Sequence, residues 1–128
     1  MAVGPWLDKA ADGRRVVLID DDETVRELCA EALVDAGYRV RAFAAGEEAL
    51  DALAALGVEV LVVDWNLPGL DGVEVTRRAL ALIPDLPVLM ISGNRRDAED
   101  AAVGSGVCRV IGKPFLIEEL VSAVSALV

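Results

Sequence analysis

Five short apolar runs, each followed by a helical pattern, constrain the fold of this 128-residue chain more than any other feature. The runs predict strands at Val16–Ile19, Tyr38–Phe43, Val58–Val63, Val88–Ile91 and Val107–Ile111. Most of them are apolar almost throughout, which is typical of parallel strands that helices cover on both faces. The second run alternates with Arg39 and Arg41, so we expect it at the edge of the sheet.

The helical patterns that separate the runs complete five β-α repeats. We predict helices from about Val25 to Ala36, Glu47 to Leu56, Asp71 to Leu82, Asp97 to Val103 and Ile117 to Leu127. Right-handed crossovers leave few topologies for such repeats, and strand order 2-1-3-4-5 is the expected one. The predicted fold is therefore α/β, a doubly wound, flavodoxin-like (βα)5 sheet over residues 15–128. Residues 1–14 read as an N-terminal extension or linker, with Trp6 as a possible docking residue.

Composition narrows the range of functions. The net charge of −10 argues against binding to nucleic acid or to an anionic membrane, both of which require a basic surface. No stretch approaches the ~20 apolar residues of a membrane span, and a signal peptide is not expected, so a cytoplasmic location is predicted. Cys29 and Cys108 each lie in an apolar run and are expected to be small core residues. The chain contains no histidine, which excludes a phosphohistidine of its own.

Polar residues stand where four of the predicted strands end. Asp20 and Asp21 follow the first strand, Asp64 the third, Ser92 the fourth and Lys113 the fifth, with one residue between. The carboxyl ends of parallel strands meet at one edge of a sheet, where doubly wound folds bind their ligands. The sequence thus predicts one site at this edge, built from carboxylates, a hydroxyl and an amine.

Three converging carboxylates repel one another unless they take up protons or a cation. Oxygen ligands without histidine or cysteine favour a hard ion, so Mg²⁺ is expected, with Mn²⁺ as a possible substitute. A carboxylate beside such an ion can act as a nucleophile on phosphorus and form an aspartyl phosphate. Lys113 is one of only two lysines beside ten arginines, and a compact ammonium suits a single phosphate oxygen. The proline that follows it allows a cis peptide bond.

Three segments resemble the motifs of two-component receiver domains. They are Val17–Glu23 with its acidic triplet, Val62–Gly72 around Asp64, and Gly112–Phe115 with Lys113 before a proline. The likeness spans about residues 15–128 in order and spacing. The run Ile91-Ser92-Gly93 is more similar to receivers attached to hybrid histidine kinases than to those of transcription factors.

That resemblance implies a role for each site residue. Asp64 would accept the phosphoryl group, and Asp21, Asp64 and the backbone carbonyl of Asn66 would bind Mg²⁺. Asp20 would act on the ion indirectly, by helping to position it or its waters. Ser92 and Lys113 would contact the phosphoryl oxygens, while Asn66 and Asn94 would influence the rate of dephosphorylation. The switch position, often aromatic in the family, is Val110 here, so this chain departs from an aromatic relay.

Three classes of function compete to explain this sequence. The leading one is a phosphoacceptor module that takes its phosphoryl group from a histidine kinase or phosphotransfer protein and controls an unknown downstream protein. It would be a monomer, or a weak dimer through the face of strand 4, strand 5 and the last helix, with only weak self-catalysis. A small aspartyl-phosphate phosphohydrolase would need a second acid/base carboxylate, yet the residue two after Asp64 is Asn66. A pseudo-receiver acting only as a docking surface would lack Asp64, Asp21 or Lys113, and all three are present. A receiver excised from a hybrid histidine kinase stays compatible with the sequence.

Overall fold

The computed structural model describes residues 6–128, which form one five-stranded parallel sheet between helices. The strands are β1 (Arg15–Ile19), β2 (Arg39–Phe43), β3 (Val60–Asp64), β4 (Val88–Ser92) and β5 (Arg109–Gly112). The helices are α1 (Glu23–Asp35), α2 (Gly46–Leu56), α3 (Gly72–Leu82), α4 (Arg95–Ala102) and α5 (Ile117–Ser125). The order β2-β1-β3-β4-β5 confirms the predicted topology, with β2 on the edge as its arginines indicated.

The apolar strands form a hydrophobic core on each face of the sheet. Successive side chains of β3 and β4 point to opposite faces of the sheet, and all of their residues are buried. One core cluster contains Leu61, Val63 and Met90 together with residues of α2 and α3. The other contains Val62 and Ile91 together with residues of α1 and α5. Burial on both faces explains why these strands show no polar alternation in the sequence.

The helices that follow β1 and β3 begin at side chains that cap them. Asp22 accepts a hydrogen bond from the backbone N–H of Val25 at the start of α1, and Asp71 accepts one from the N–H of Glu74 at the start of α3. Aspartate is a favoured residue at this position because its carboxylate satisfies a free backbone donor. These two caps fix the loops that follow β1 and β3, the loops that carry the predicted site.

Several element bounds differ from those predicted. β3 and β5 each begin two residues later than expected, at Val60 and Arg109, and α5 ends at Ser125. α4 begins at Arg95, two residues earlier than predicted, because Asn94 caps it. The Lys113-Pro114 peptide bond is cis, as the sequence allowed. Among the residues described, no helix combines the length and apolarity that a membrane crossing needs.

Residues 6–9 lie along the outer edge of β2. Leu7 and Val40 exchange two backbone hydrogen bonds, of 2.9 and 2.8 Å, as an antiparallel pair. The Trp6 ring lies 5.5 Å from the guanidinium carbon of Arg39 and 5.1 Å from that of Arg41. The first five residues of the predicted extension fall outside the described part of the chain.

The prediction that both cysteines are core residues is half wrong. Cys29 is buried on α1, whereas Cys108 is exposed just before β5, where the apolar run meets solvent instead of the core. Burial, and next the nearby charge of Asp20, raises the pKa of the Cys29 thiol to about 11.

We therefore expect the two thiols to react at very different rates. At neutral pH iodoacetamide should modify Cys108 at least about 100-fold faster than Cys29, because Cys29 is shielded and has little thiolate. Peptide mass spectrometry over a time course measures both rates in one sample. Equal rates in the folded protein would contradict this account of α1.

Candidate functional site

The carboxyl ends of four strands bring the predicted polar residues to one edge of the sheet. Asp20 directly follows β1, Asp64 ends β3, and Ser92 ends β4. Lys113 follows β5, and its backbone N–H donates to the carbonyl of Ser92 at 2.7 Å. The parallel pairing of the strands thus holds the ends of β4 and β5 level with each other.

Three carboxylates converge at this edge. Asp20, Asp21 and Asp64 each offer an oxygen atom within 4.8 Å of the others. Asp20 and Asp64 are buried, with 0% and 4% of their surfaces exposed, and Asp21 is open to solvent. Such an all-oxygen set, with one side open, fits a hard divalent ion that keeps part of its water shell.

Lys113 joins the two buried carboxylates. Its Nζ atom donates to Asp64 Oδ2 at 2.9 Å and to Asp20 Oδ2 at 3.1 Å. Burial alone would lower the pKa of Lys113, but the hydrogen bond to Asp64 and the charges of both carboxylates outweigh it and raise the pKa. The ammonium therefore stays charged, and one positive charge faces three carboxylates.

Backbone amides orient the other oxygens of the buried pair. The N–H of Asp22 donates to Asp20 Oδ1 at 2.9 Å, and the N–H of Asn66 donates to Asp64 Oδ1 at 3.0 Å. Burial raises the pKa of Asp20, and the charge of Asp64 adds to the rise against the opposing hydrogen bond from Asp22. Both carboxylates are thereby held in fixed orientations at the mouth of the site.

The loop after β3 is closed tightly behind Asp64. The N–H of Gly72 donates to the carbonyl of Trp65 at 2.9 Å, and the Thr76 hydroxyl donates to the carbonyl of Gly72 at 2.7 Å. A Cβ atom at position 72 would lie 2.6 Å from the backbone oxygen of Asp64. Only glycine leaves room for this approach, so Gly72 shapes the site from behind.

Comparison with known proteins decides the family. The family model described as "Response regulator receiver domain" matches residues 16–125, most of the chain. The chain belongs to the response regulator receiver domain family. The recognition made from the three motifs is thereby confirmed.

Two curated relatives and one solved structure illustrate the similarity of this receiver domain to others. It is 38% identical over 110 residues to the C4-dicarboxylate transport transcriptional regulatory protein DctD of Rhizobium meliloti, covering 84% of this chain and 24% of that protein. It is 37% identical over 114 residues to the response regulator MprA of Mycobacterium avium, covering 88% and 50%. The chemotaxis protein CheY4 of Vibrio cholerae superposes with a TM-score of 0.85 at 25% identity, covering 91% and 99%.

The receiver domain spans half or less of these two curated relatives. Both are regulatory proteins by name, so the likeness to receivers of hybrid kinases stays a prediction. What the comparisons establish is the receiver family and its fold.

Ser92 is buried beside the receiver's acidic cluster, but its hydroxyl is engaged elsewhere. Ser92 Oγ donates to the carbonyl of Asn94 at 3.0 Å and accepts from the N–H of Asn94 at 2.9 Å. The Asn94 side chain in turn accepts from the N–H of Asp97 at 3.1 Å and caps α4. Asn94 thus has a clear structural role, and its predicted influence on dephosphorylation stays a prediction.

Two other predicted positions differ in exposure. Asn66 is exposed at the mouth of the site, where its carbonyl was predicted to bind Mg²⁺. Val110 is 6% exposed and lies in the same core cluster as Met90, Ala98 and Ala102. It therefore packs under α4, and its role as the switch position stays a prediction.

One residue near the site was missed from the sequence. Arg26, in the first turn of α1, donates from Nη1 to the backbone carbonyl of Asp20 at 2.9 Å. It ties α1 to the loop that carries the acidic residues. The available signal was its place one turn after the acidic triplet, where a long side chain can reach back to the strand end.

Proposed function

We propose that this receiver domain accepts a phosphoryl group on Asp64 from a histidine kinase or phosphotransfer protein, with Mg²⁺ as cofactor. The observation that carries the proposal is the Asp64 carboxylate itself. It is buried, aimed by the N–H of Asn66, and held 2.9 Å from the ammonium of Lys113 within an acidic cluster. A carboxylate fixed in this way is prepared to attack phosphorus without reorganisation.

Each neighbour has a defined part in the transfer. An oxygen of Asp64 forms a bond to phosphorus as the bond from phosphorus to the donor's nitrogen breaks, and the released imidazole takes up a proton from water. Asp21, Asp64 and the carbonyl of Asn66 would hold Mg²⁺, with Asp20 behind them. Mg²⁺ supplies neutralisation of charge on the phosphoryl oxygens when bound. Lys113 is placed to contact a phosphoryl oxygen, and Ser92 would do so by giving up its bond to the carbonyl of Asn94.

We also propose that the domain signals and does not act as a metabolic enzyme. A phosphohydrolase of this chemistry needs a further acid/base carboxylate beside the nucleophile, in addition to the carboxylates that hold the metal. The residue two positions after Asp64 is Asn66, whose amide does not act as a general acid or base near neutral pH. Slow hydrolysis of the aspartyl phosphate by water would then reset the domain, with Asn66 and Asn94 influencing its rate.

An apolar groove beside the site supports docking of a protein donor. It has a volume of about 400 Å³ between α1 and the start of α5, and Lys113 forms part of its wall. Leu28 and Ile117 line it and are 52% and 48% exposed. A partner seated here would bring its phosphoryl group close to Asp64. The downstream protein would instead read the face of β4, β5 and α5, where weak dimers are also expected.

The proposal predicts the gain of one phosphoryl group. With acetyl phosphate and Mg²⁺, most of the wild-type chain should gain that mass, whereas Asp64→Asn should gain none, because the amide is not a nucleophile. Asp71→Asn is the matched control, since Asn also caps a helix and Asp71 lies outside the acidic cluster. Intact-mass spectrometry reads all three. An unmodified wild-type chain, or a modified Asp64→Asn, would exclude the proposed acceptor.

The metal makes a separate prediction. Millimolar Mg²⁺ should raise the thermal midpoint of the wild-type chain by a few degrees, since binding to the folded state alone stabilises it. Asp21→Asn should weaken the effect at least about 10-fold in metal concentration, because it removes a charged ligand. Asp22→Asn, which keeps the cap of α1, is the control. A wild-type midpoint indifferent to Mg²⁺ would rule the metal site out.

A further inference from the structure

The segment before β1 has the side-chain alternation of a strand. Trp6 and Asp8 both reach arginines of β2: Trp6 lies over Arg39 and Arg41, and Asp8 Oδ2 accepts from Arg39 Nε at 3.0 Å. Leu7, between these two residues, and Lys9, after them, contact α1 instead. Leu7 lines a pocket with residues of α1, and Lys9 pairs with Asp35 at the end of α1. Alternate residues therefore contact opposite faces of the sheet.

The backbone pairing completes this strand. Successive residues of β2 direct their hydrogen bonds to opposite sides: the N–H of Arg39 donates to the carbonyl of Arg14 on the β1 side, and the N–H of Val40 donates to Leu7 on the outer side. Leu7 returns the bond to the carbonyl of Val40 at 2.9 Å. The outer edge of β2 is thus filled at its centre by the chain's own antiparallel segment.

A tight turn carries the chain from this segment to β1. The N–H of Gly13 donates to the carbonyl of Ala10 at 3.0 Å, and a Cβ atom at position 13 would lie 2.2 Å from the carbonyl oxygen of Gly37. The turn is therefore packed against the start of β2. The backbone, the side chains of Trp6 and Asp8 and this turn join the segment to β2, and the side chains of Leu7 and Lys9 join it to α1.

We propose that the outer edge of β2 is a strand-addition site for an extended segment, and that residues 6–9 of this chain occupy it. The site would select a segment with an aromatic residue, whose ring packs against the guanidinium groups of both Arg39 and Arg41. Two residues later the segment would carry an acidic residue that accepts a hydrogen bond from Arg39. Backbone pairing supplies affinity in such sites, and alternate side chains supply the selectivity. Residues 6–9 also cover a sheet edge that would otherwise be open to pairing with another strand.

Hydrogen exchange at one amide tests the occupied state in the full-length chain. Leu7→Pro removes the N–H that donates to the Val40 carbonyl, and the proline ring disfavours the paired geometry. The weakened pair should release the Val40 amide from the carbonyl of residue 7 and speed its exchange at least about 10-fold. Leu7→Ala is the matched control: it shortens a side chain that is 51% exposed and keeps the N–H, so protection should persist. Phosphoryl acceptance by Asp64 should stay unchanged in both, which separates local opening from unfolding.

Addition of the segment as a synthetic peptide tests the site itself. A peptide of residues 6–12, titrated to millimolar concentration, should restore Val40 protection in the Leu7→Pro chain and should not bind the wild-type chain, where the site is filled. Peptides with Trp6→Ala or Asp8→Lys should bind at least about 10-fold more weakly than a peptide with Lys9→Ala. Lys9→Ala is the reference because the ion pair of Lys9 with Asp35 is exposed and contributes little. Equal Val40 exchange in the Leu7→Pro and Leu7→Ala chains, or a wild-type peptide that does not bind the Leu7→Pro chain, would overturn the proposal.

Discussion

We expect Lys113→Met to lower the free energy of unfolding by about 2–4 kcal/mol in the absence of Mg²⁺, because it leaves two buried carboxylates without their cation. Lys113 Nζ lies 2.9 Å from Asp64 and 3.1 Å from Asp20, which are 4% and 0% exposed. Urea denaturation at neutral pH measures the loss. Addition of Mg²⁺ should recover part of it, since the ion then supplies positive charge to the same cluster.

The loss should also depend on pH. Burial already raises the pKa of Asp20 above its ordinary value, so the folded state holds this proton more tightly than the unfolded state. Protonation of Asp20 therefore favours folding, and the deficit of Lys113→Met should shrink as the pH falls through the raised pKa. A deficit that grows on acidification would contradict the assignment of the loss to unpaired carboxylates.

The other lysine of the chain is a matched control. Lys9 also pairs with an aspartate, Asp35, but their side chains are 65% and 54% exposed. Lys9→Met should therefore cost at most about 0.5 kcal/mol, as exposed ion pairs do. If the two substitutions lowered the free energy of unfolding equally, the burial of the Lys113 ion pairs would not contribute to stability.

We expect Gly72→Ala to be the second severe substitution. The new Cβ atom would lie 2.6 Å from the backbone oxygen of Asp64 and 2.8 Å from Cα of Trp65, and backbone atoms cannot rotate away. The loop must shift, at a cost of about 2–4 kcal/mol. Because the displaced oxygen belongs to Asp64, phosphoryl acceptance should fall as well. Urea denaturation and intact-mass spectrometry measure the two effects.

Gly93→Ala controls for the loss of a glycine beside the same site. Within the described residues, a Cβ atom at position 93 would meet no heavy atom closer than 4 Å. Stability should therefore not fall, and it can rise by about 0.4–1 kcal/mol because alanine restricts the unfolded chain. If Gly72→Ala were as mild as Gly93→Ala, the close approach behind Asp64 would not be a constraint on the site.

The sequence was sufficient for the sheet and for the residues at its edge because both depend on simple rules. Apolar runs mark buried parallel strands, and their carboxyl ends converge whatever the details of packing. Asp20, Asp64, Ser92 and Lys113 could therefore be placed together before any distance was known. The contacts of Lys113 with both buried carboxylates then followed the expected convergence.

Other features depend on contacts that no local pattern encodes. The position of Arg26 one turn after the acidic triplet only allowed its side chain to reach back, and the bond to the carbonyl of Asp20 forms because α1 packs over β1. Cys108 is exposed although it lies in the run Val107–Ile111 that predicted a strand. The engagement of the Ser92 hydroxyl with Asn94 depends on the conformation of the loop after β4. The pairing of Leu7 with Val40 joins residues far apart in the chain, which alternation in so short a segment does not reveal.

The central claim is that Asp64 carries the phosphoryl group as an acyl phosphate, and locating the modified residue tests it most directly. After reaction with acetyl phosphate and Mg²⁺, borohydride reduces an acyl phosphate of aspartate to homoserine, which peptide mass spectrometry can place in the sequence. We predict homoserine at position 64 alone. Homoserine at position 20 or 21, or a borohydride-resistant phosphate on Ser92, would contradict the account.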